Sequence, residues 1–188
     1  AEYRFQHADG SWIWAESTGI NRLDDPKIEG VVLVSRDITG RKERERQIQE
    51  LKERLELAIE GAELGVWDWN VKTDEVEFND QWAEMLGYDP ANIDDHLDAW
   101  EKRVHPGDLS EVEATLERHL SGETEYYDSE HRMKTADGGW KWIRDIGKVV
   151  ERDDDGDPVR AVGIHLDIDE RKNYEQTLEE ERDMFTQG

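Results

Sequence analysis

The chain has 188 residues, enough for one full domain with additional chain or for two small domains. Its 48 acidic residues against 24 basic ones give a net charge of −24, which disfavours binding to nucleic-acid phosphates or to an anionic membrane surface. The absence of cysteine excludes disulfides and thiolate metal sites. Eight tryptophans argue against simple disorder.

The acidic residues are spread along the whole chain, as in proteins of salt-loving archaea. We expect a halophilic, cytoplasmic protein that folds in concentrated salt, where charges are screened over roughly 3 Å at 1 M. An ordinary acidic mesophilic protein is the alternative. No run of 18 apolar residues is present to span a membrane. With no signal peptide and no initiating Met, the chain is interpreted as part of a longer protein.

A long repeat organises the chain. Residues 3–14, YRFQHADGSWIW, align with residues 131–142, HRMKTADGGWKW, and DITGRK at 37–42 aligns with DIDERK at 167–172. Each copy has the pattern of a strand, a turn, a strand, a turn and a strand, with Ala-Asp-Gly at the first turn. The sequence therefore indicates two copies of one domain, of which residues 1–42 are only the C-terminal half. For this half alone we expect a partly ordered β-hairpin.

A helix is predicted between the copies. Its apolar residues recur at spacings of three and four, which is typical of a coiled-coil seam and favours a homodimer through the linker helices; the seam residues are Ile48, Leu51, Leu55 and Ala58. The seam runs for only about two heptads, so the alternative is a single surface helix packed on its own domain. We assign 43–60 as the helical linker.

The segment that follows supplies the front half that the first copy lacks. Residues 66–70 and 76–78 are predicted strands, and Asn79 or Asp80 is placed to cap a short helix. A longer helix is predicted within 105–122, where Asp108 and Glu111 have the spacing of a capping box. His105, before Pro106, is expected to help the chain enter this helix.

These residues resemble the PAS sensor family with its C-terminal PAC motif. The matching segments are HPGD at 105–108, RMKTADGGWKW at 132–142, DDDGDP at 153–158 and VGIHLDIDERK at 162–172. The resemblance implies an α+β PAS fold, a five-stranded antiparallel sheet with short helices on one face, flanked by coiled-coil-like linker helices. It implies a complete PAS domain at 61–172 and the start of an exit helix at 173–188.

The resemblance also implies the function. Such a domain would be a sensory or signal-relay module of a multidomain signal-transduction protein, such as a sensor histidine kinase, with its output domain beyond Gly188. No catalytic constellation is present in the sequence, so the fragment is not expected to be an enzyme. The alternative is a ligand-free structural or dimerisation spacer in a PAS array.

The strand-to-helix junction is the predicted route for the signal, and its residues are Asp167, Asp169 and Arg171. The first copy has Thr39 where the second has Asp169, and the family usually has a small hydroxyl there. This departure puts any hydrogen-bond role of the position in doubt for the second domain.

Aromatic and histidine side chains are the candidates for lining a ligand pocket: Trp69, Phe78, Trp82, Trp100, His119, His131 and Trp142. Plain core packing is the alternative for most of them. In haem-binding relatives an iron ligand comes from the helix that carries His119, whose other interpretation is a surface side chain. His131 is either a ligand contact or a satisfied core histidine. Haem and flavin are the cofactors considered, and the sequence indicates neither.

The acidic loop DDDGD at 153–157 does not complete a calcium site. With Gly156 at loop position 6, position 12 is Val162, where a glutamate ligand is needed. The six histidines also lack zinc-site spacing. We therefore predict no metal site and a solvated hairpin tip at this loop.

Overall fold

The computed structural model describes residues 1–186, so the last two residues of the predicted exit segment, 187–188, lie outside the described residues. The chain divides into two compact units, one over Ala1–Ala58 and one from Ile59 onward, and each is described by itself. No described helix combines the length and the apolar character that crossing a membrane requires.

The first unit is a three-stranded antiparallel sheet followed by a helix. Its strands are β1 (Glu2–Gln6), β2 (Trp12–Arg22) and β3 (Gly30–Asp37), in the order β1-β2-β3. The partly ordered hairpin expected here is wrong, because β3 pairs along β2 from Ala15↔Asp37 to Arg22↔Gly30. Helix α1 (Thr39–Gly61) follows.

The second unit contains five strands and four helices within its described part. The strands are β4 (Gly65–Asn70), β5 (Val76–Phe78), β6 (Tyr127–Lys134), β7 (Trp140–Arg152) and β8 (Pro158–Asp167). The helices are α2 (Asp80–Glu84), α3 (Asp98–Glu101), α4 (Pro106–Leu120) and α5 (Asp169–Thr186), with a 3₁₀ turn at Pro90–Asn92. The strands form one antiparallel sheet in the order β5-β4-β8-β7-β6, which confirms the predicted fold.

Two capping residues fix how the helices start. The side chain of Asn79 accepts hydrogen bonds from the backbone of Trp82 and, at 2.7 Å, from that of Val66, so it ties α2 to β4. His105 caps α4, as expected, because its Nδ1 accepts from the backbone of Gly107. The capping box predicted at Asp108 is wrong.

Asp108 lies inside the first turn of α4 and holds β6 instead. Its carboxylate accepts two hydrogen bonds from the Arg132 guanidinium and one from the Arg132 backbone. These bonds lower the pKa of Asp108 below its ordinary value. Pro106 explains the difference, since a proline is best placed in the first helical turn and starts α4 before Asp108.

The hydrophobic core lies on one face of the five-stranded sheet, beneath the helices. On β7 the inward positions are Ile143, Asp145 and Gly147. The indole of Trp67 lies against Gly147 and its cross-strand partner Gly163, where any Cβ would collide with the ring. Two paired glycines therefore make room for one large side chain on the inner face of the sheet.

Candidate ligand cavity and strand-to-helix junction

A small cavity of about 30 Å³ lies between the sheet and the helices of the second unit. Five aromatic and three aliphatic side chains surround it, together with one carboxylate and one imidazole: Trp67, Trp69, Phe78, Trp100, Tyr127, Val76, Leu97, Leu116, Asp145 and His165. This volume has room for one or two water-sized groups.

Asp145 is the acidic group of the cavity, and its side chain is buried with 3% of the residue exposed. Its Oδ1 accepts a hydrogen bond of 2.8 Å from Nε1 of Trp67. Nε2 of His165, on the neighbouring strand, lies 2.9 Å from Oδ2, but its N–H does not point at that oxygen in hydrogen-bond geometry. One oxygen of the Asp145 carboxylate is thus held by a hydrogen bond, and the other has only an unaligned contact with His165.

Two further buried polar groups lack a full set of hydrogen bonds. No described group meets the hydroxyl of Tyr127 in hydrogen-bond geometry, and burial raises the pKa of this phenol well above its ordinary value, so it keeps its proton. His131 is fully buried, and Nδ1 contacts Oγ of Ser129 at 3.2 Å. Burial lowers the pKa of His131 to about 4, so its ring is neutral at pH 7.

The predicted pocket residues separate into two groups. Trp69, Phe78 and Trp100 line the cavity. Trp82 is buried and stacks against Phe78 with ring centroids 4.1 Å apart, and His131 meets Trp100 edge-on, but neither lines the cavity. His119 and Trp142 also lie outside the lining.

Trp142 is on the opposite face of the sheet from the cavity. The side chains of Arg132 and Lys172 lie over its indole, at 5.3 and 4.9 Å from the ring centroid. The period of two along β7 explains this position, because the next residue, Ile143, points to the inner face with Asp145, which leaves Trp142 on the outer face.

His119 is a buried structural side chain and not a surface one. Nδ1 is 3.0 Å from the carbonyl oxygen of Thr124, and Nε2 accepts a hydrogen bond of 3.0 Å from the backbone of Val149. Both ring nitrogens are therefore engaged by backbone groups, which leaves this histidine no free nitrogen with which to bind haem iron.

At the end of β8, the junction connects the sheet to α5 through three side chains. Asp169, at the start of α5, accepts a hydrogen bond of 2.8 Å from the backbone of Trp142. Asp167 accepts a hydrogen bond from the backbone of Asp169 and pairs with Lys141 at 2.7 Å.

Glu130 on β6 forms a second connection to α5, because it pairs with Arg171 at 2.5 Å and with Lys172 at 2.7 Å. The pKa of Glu130 is lowered, chiefly by Lys172.

The first unit has the same junction at the start of α1. Oγ1 of Thr39 accepts a hydrogen bond of 2.9 Å from the backbone of Trp14. Glu2 pairs with Arg41 and Lys42, each at 2.6 Å, and these cations, Lys42 first, lower the pKa of Glu2 to about 2. The doubt about Asp169 is thereby resolved, because its carboxylate makes the bond to β7 that the hydroxyl of Thr39 makes to β2.

The two copies differ on the inner face of their sheets. In the first unit, Ser17 links Tyr3 and Ser35 through contacts of 2.7 and 2.6 Å between hydroxyl oxygens. The positions that correspond in the strand pairing of the second unit are His131, Asp145 and His165. Three neutral hydroxyls are thus replaced by a carboxylate between two imidazoles.

Sequence reasoning missed several residues of these sites, among them four polar side chains: Tyr127, Glu130, Asp145 and His165. A signal was present for two of them. Glu130 has an identical partner, Glu2, in the repeat, and Asp145 is a polar residue at an inward position between Ile143 and Gly147. For Tyr127 and His165, nothing in the sequence distinguishes a cavity lining from ordinary core.

The acidic loop is the hairpin tip between β7 and β8. Oδ1 of Asp153 accepts from the backbone of Asp155 and Asp157, and Oδ2 pairs with Lys72 at 2.9 Å. The carboxylate that would stand at position 3 of a calcium loop is therefore committed to turn geometry and to a lysine.

A single antiparallel sheet that holds a small internal cavity and ends in an exit helix is the architecture of a sensor module. The family described as "PAS fold" matches residues 75–165. The solved sensory box histidine kinase/response regulator from Burkholderia thailandensis is 32% identical, with a TM-score of 0.65, and the match covers 72% of this chain and 99% of that one. The chain belongs to the PAS family. A PAS domain acts as a sensory and signal-relay module and has no catalytic role of its own.

Two curated proteins are also similar to this chain. Sensor protein FixL of Bradyrhizobium diazoefficiens is 32% identical over 129 residues, which are 67% of this chain and 24% of the relative. Probable diguanylate cyclase DgcE of Escherichia coli is 26% identical over 185 residues, 97% of this chain and 16% of the relative. The chain therefore spans a quarter or less of the length of these relatives.

Proposed function

We propose that the second unit senses a small molecule or a change of state in its cavity and relays it through β7 and β8 to α5. The observation that carries this proposal is the junction, which is built the same way at Thr39 and at Asp169. The same strand-to-helix bond occurs twice in this chain and is made by different side chains. This recurrence supports a role for the junction in passing a structural change from the sheet to the helix.

The cavity and the junction share two strands. Asp145 and His165 face each other across β7 and β8, and the next inward pair, Ile143↔Asp167, already belongs to the end of the sheet. His165 is two residues before Asp167, whose carboxylate accepts a hydrogen bond from the Asp169 backbone. A change in the contact between Asp145 and His165 would therefore occur next to the start of α5.

We also propose the domain limits given by the repeat. Residues 1–42 would be the C-terminal half of a preceding PAS domain, 43–60 a helical linker, 61–172 a complete PAS domain and 173–188 the start of an exit helix. The exposed inner face of the first sheet supports this proposal, because Tyr3, Phe5, Val31 and Leu33 occupy positions that the helices cover in the second unit.

The parent protein is proposed to be a homodimeric, halophilic, cytoplasmic signalling protein whose output domain follows this segment, with a histidine kinase as the first choice. The relatives support an output domain, since they include a histidine kinase with a response regulator and a diguanylate cyclase. Dimerisation is supported by the seam of α1, where Ile48, Leu51, Leu55 and Ala58 are all exposed.

A ligand-free spacer is the second candidate, and the small cavity favours it. About 30 Å³ is far too little for haem or flavin, so a spacer with a nearly filled core needs no ligand at all. An absorption spectrum from 300 to 700 nm, followed by mass spectrometry of whatever denaturation releases, separates a bound cofactor from an empty domain.

The relay itself is tested by hydrogen exchange with the variant Asp145→Asn, because the contacts described for the Asp145 side chain are with Trp67 on β4 and His165 on β8. We expect amide exchange in Arg171–Glu175 to change several-fold, while Asp155→Asn, at the exposed hairpin tip, leaves it as in the wild type. If Asp145→Asn alters exchange only in β4 and β7, the relay is refuted and the spacer remains.

A further inference from the structure

The occupant of the cavity can be narrowed from the atoms that face it, an inference that rests on the proposed function. Ten residues surround the cavity, and the surface that they turn towards it is almost wholly apolar. Aromatic rings form much of this surface, and the aliphatic side chains of Val76, Leu97 and Leu116 complete it. Such a wall offers an occupant close contact with carbon atoms but no hydrogen-bonding partner.

The polar atoms of the lining residues are engaged with one another or enclosed by packing. Oδ1 of Asp145 accepts from Nε1 of Trp67, and Oδ2 lies against Nε2 of His165 at 2.9 Å. Nε1 of Trp100 and the hydroxyl of Tyr127 are buried among their neighbours. A polar or charged occupant would therefore lose its hydrogen bonds to water and gain none in the cavity, which is costly.

One side of the cavity is less tightly closed than the rest. Phe78, Leu97 and Leu116 are half-buried, whereas Trp67 and Val76 are buried. The half-buried side is itself apolar, so it admits an uncharged molecule more readily than an ion. The way into the cavity thus selects in the same direction as its wall.

Size completes the selection. A cavity of about 30 Å³ accepts one or two non-hydrogen atoms. Small apolar cavities in proteins are poor sites for water and take up apolar atoms such as xenon instead. We propose that this cavity binds a small apolar molecule of one or two non-hydrogen atoms, the class of the dissolved diatomic gases, through dispersion contacts with the surrounding rings and aliphatic groups.

The indole of Trp67 connects this site to the proposed relay. The ring lines the cavity, and its Nε1 donates to Asp145 on β7. A molecule that packs against the ring would therefore act on one of the two strands through which the relay is proposed.

The experiment is a nuclear magnetic resonance titration with xenon of the chain labelled at its methyl groups and indole nitrogens. Val76, Leu97, Leu116 and Trp67 line the cavity, so their signals report directly on an occupant. Helium at the same pressure corrects for the effect of pressure alone. Methanol is the polar molecule of two non-hydrogen atoms.

We expect saturable shifts of these signals with xenon and at least about tenfold weaker binding of methanol, whose hydroxyl would stay without a hydrogen bond. Val76→Ile adds a methyl group to the lining and should weaken xenon binding at least about tenfold. Val150→Ile, the same change at an exposed position of β7, should leave xenon binding unchanged. If Val76→Ile does not fold, Leu116→Phe fills the cavity from its half-buried side and should weaken xenon binding in the same way.

Methanol that binds as tightly as xenon would overturn the inference, because the cavity would then offer a hydrogen bond. The absence of any saturable shift with xenon would also overturn it, as would equal xenon binding in the wild type and in the filled variant. None of these results refutes the relay, because that proposal is judged by hydrogen exchange in Asp145→Asn without any ligand.

Discussion

The indole of Trp67 donates its hydrogen to Asp145 across 2.8 Å, and this bond determines where both side chains lie on the inner face of the sheet. The ring reaches the carboxylate while the edge of its six-membered ring packs directly against the paired glycines Gly147 and Gly163, which have no side chain in the way. The glycines, the indole and the carboxylate therefore form one unit of packing, and a change in any of them is expected to disturb the others.

The first prediction concerns the space above these glycines. Gly147→Ala or Gly163→Ala would push a methyl group into the Trp67 ring, and we expect a loss of about 1–3 kcal/mol in the free energy of unfolding. Urea titration followed by circular dichroism measures it. Gly61→Ala is the control, since an added methyl group there would meet open space and alanine favours a helix. Alanine variants as stable as the wild type would contradict the described packing.

A second prediction tests the junction with the residue that the other copy uses. Asp169→Thr should keep the hydrogen bond to the backbone of Trp142, as Thr39 keeps the one to Trp14, and leave stability almost unchanged. Asp169→Ala removes the acceptor and should cost about 1 kcal/mol, with faster amide exchange at Trp142. If both variants behave alike, the side chain at this position does not hold the helix to the sheet.

A third prediction is the pH dependence that His131 contributes. Its pKa falls from 6.5 in the unfolded chain to about 4 in the fold, so below 6.5 only the unfolded state gains the proton. Stability is therefore complete above pH 6.5 and decreases as the pH falls towards 4. Between pH 7 and pH 5 this histidine should account for roughly 2 kcal/mol of the loss.

The measurement for His131 is urea unfolding at pH 7 and pH 5 for the wild type and for His131→Phe. Asp145 and His165 also face this ring from β7 and β8, so the difference between the two proteins isolates its contribution. An equal pH dependence in both proteins would show that His131 is not the group that titrates.

A fourth prediction concerns the seam of α1. Ile48→Arg or Leu55→Arg should convert a dimer into monomers in high salt, as measured by light scattering after size exclusion. Leu57→Arg is the matched control, because Leu57 is 71% exposed on the same helix but lies off the seam. A wild-type chain that stays monomeric at high concentration in high salt would refute the coiled-coil dimer.

The fifth prediction follows from the charge. With a net charge of −24, the chain should lose its folded circular dichroism spectrum when salt is removed, and regain it near 1 M or above. An unchanged spectrum in low salt would mean that hydrophobic packing outweighs the repulsion, and the chain would then be an acidic protein without salt dependence.

Much of the fold was predictable because its signals are local. The alternation of Trp67 and Trp69 marked β4, the Ala-Asp-Gly turn marked the β6–β7 hairpin, and Asn79 marked the start of α2. Each feature depends on residues close together in the chain. The repeat added the order of the last three strands, since one copy serves as a check on the other.

The cavity was less predictable because it depends on which face of each strand turns inward. Trp140 and Trp142 share one face, but only the fold shows that this face is the outer one, where Arg132 and Lys172 cover the Trp142 ring. The burial of His119 likewise requires Val149, which is 30 residues away in the chain and approaches the ring only in the folded domain.

The bonds at Thr39 and Asp169 have one more consequence, which concerns angle. Each bond fixes the first residue of a helix to a strand, so the direction in which every later side chain points is set by counting from that residue. One residue inserted into such a helix turns everything beyond it by about 100°, whereas seven turn it by only about 20° short of two full turns. The length of a linker in this chain thus sets the rotation of the residues that follow it. Natural or engineered changes of seven residues should preserve that rotation, whereas single-residue changes should abolish it.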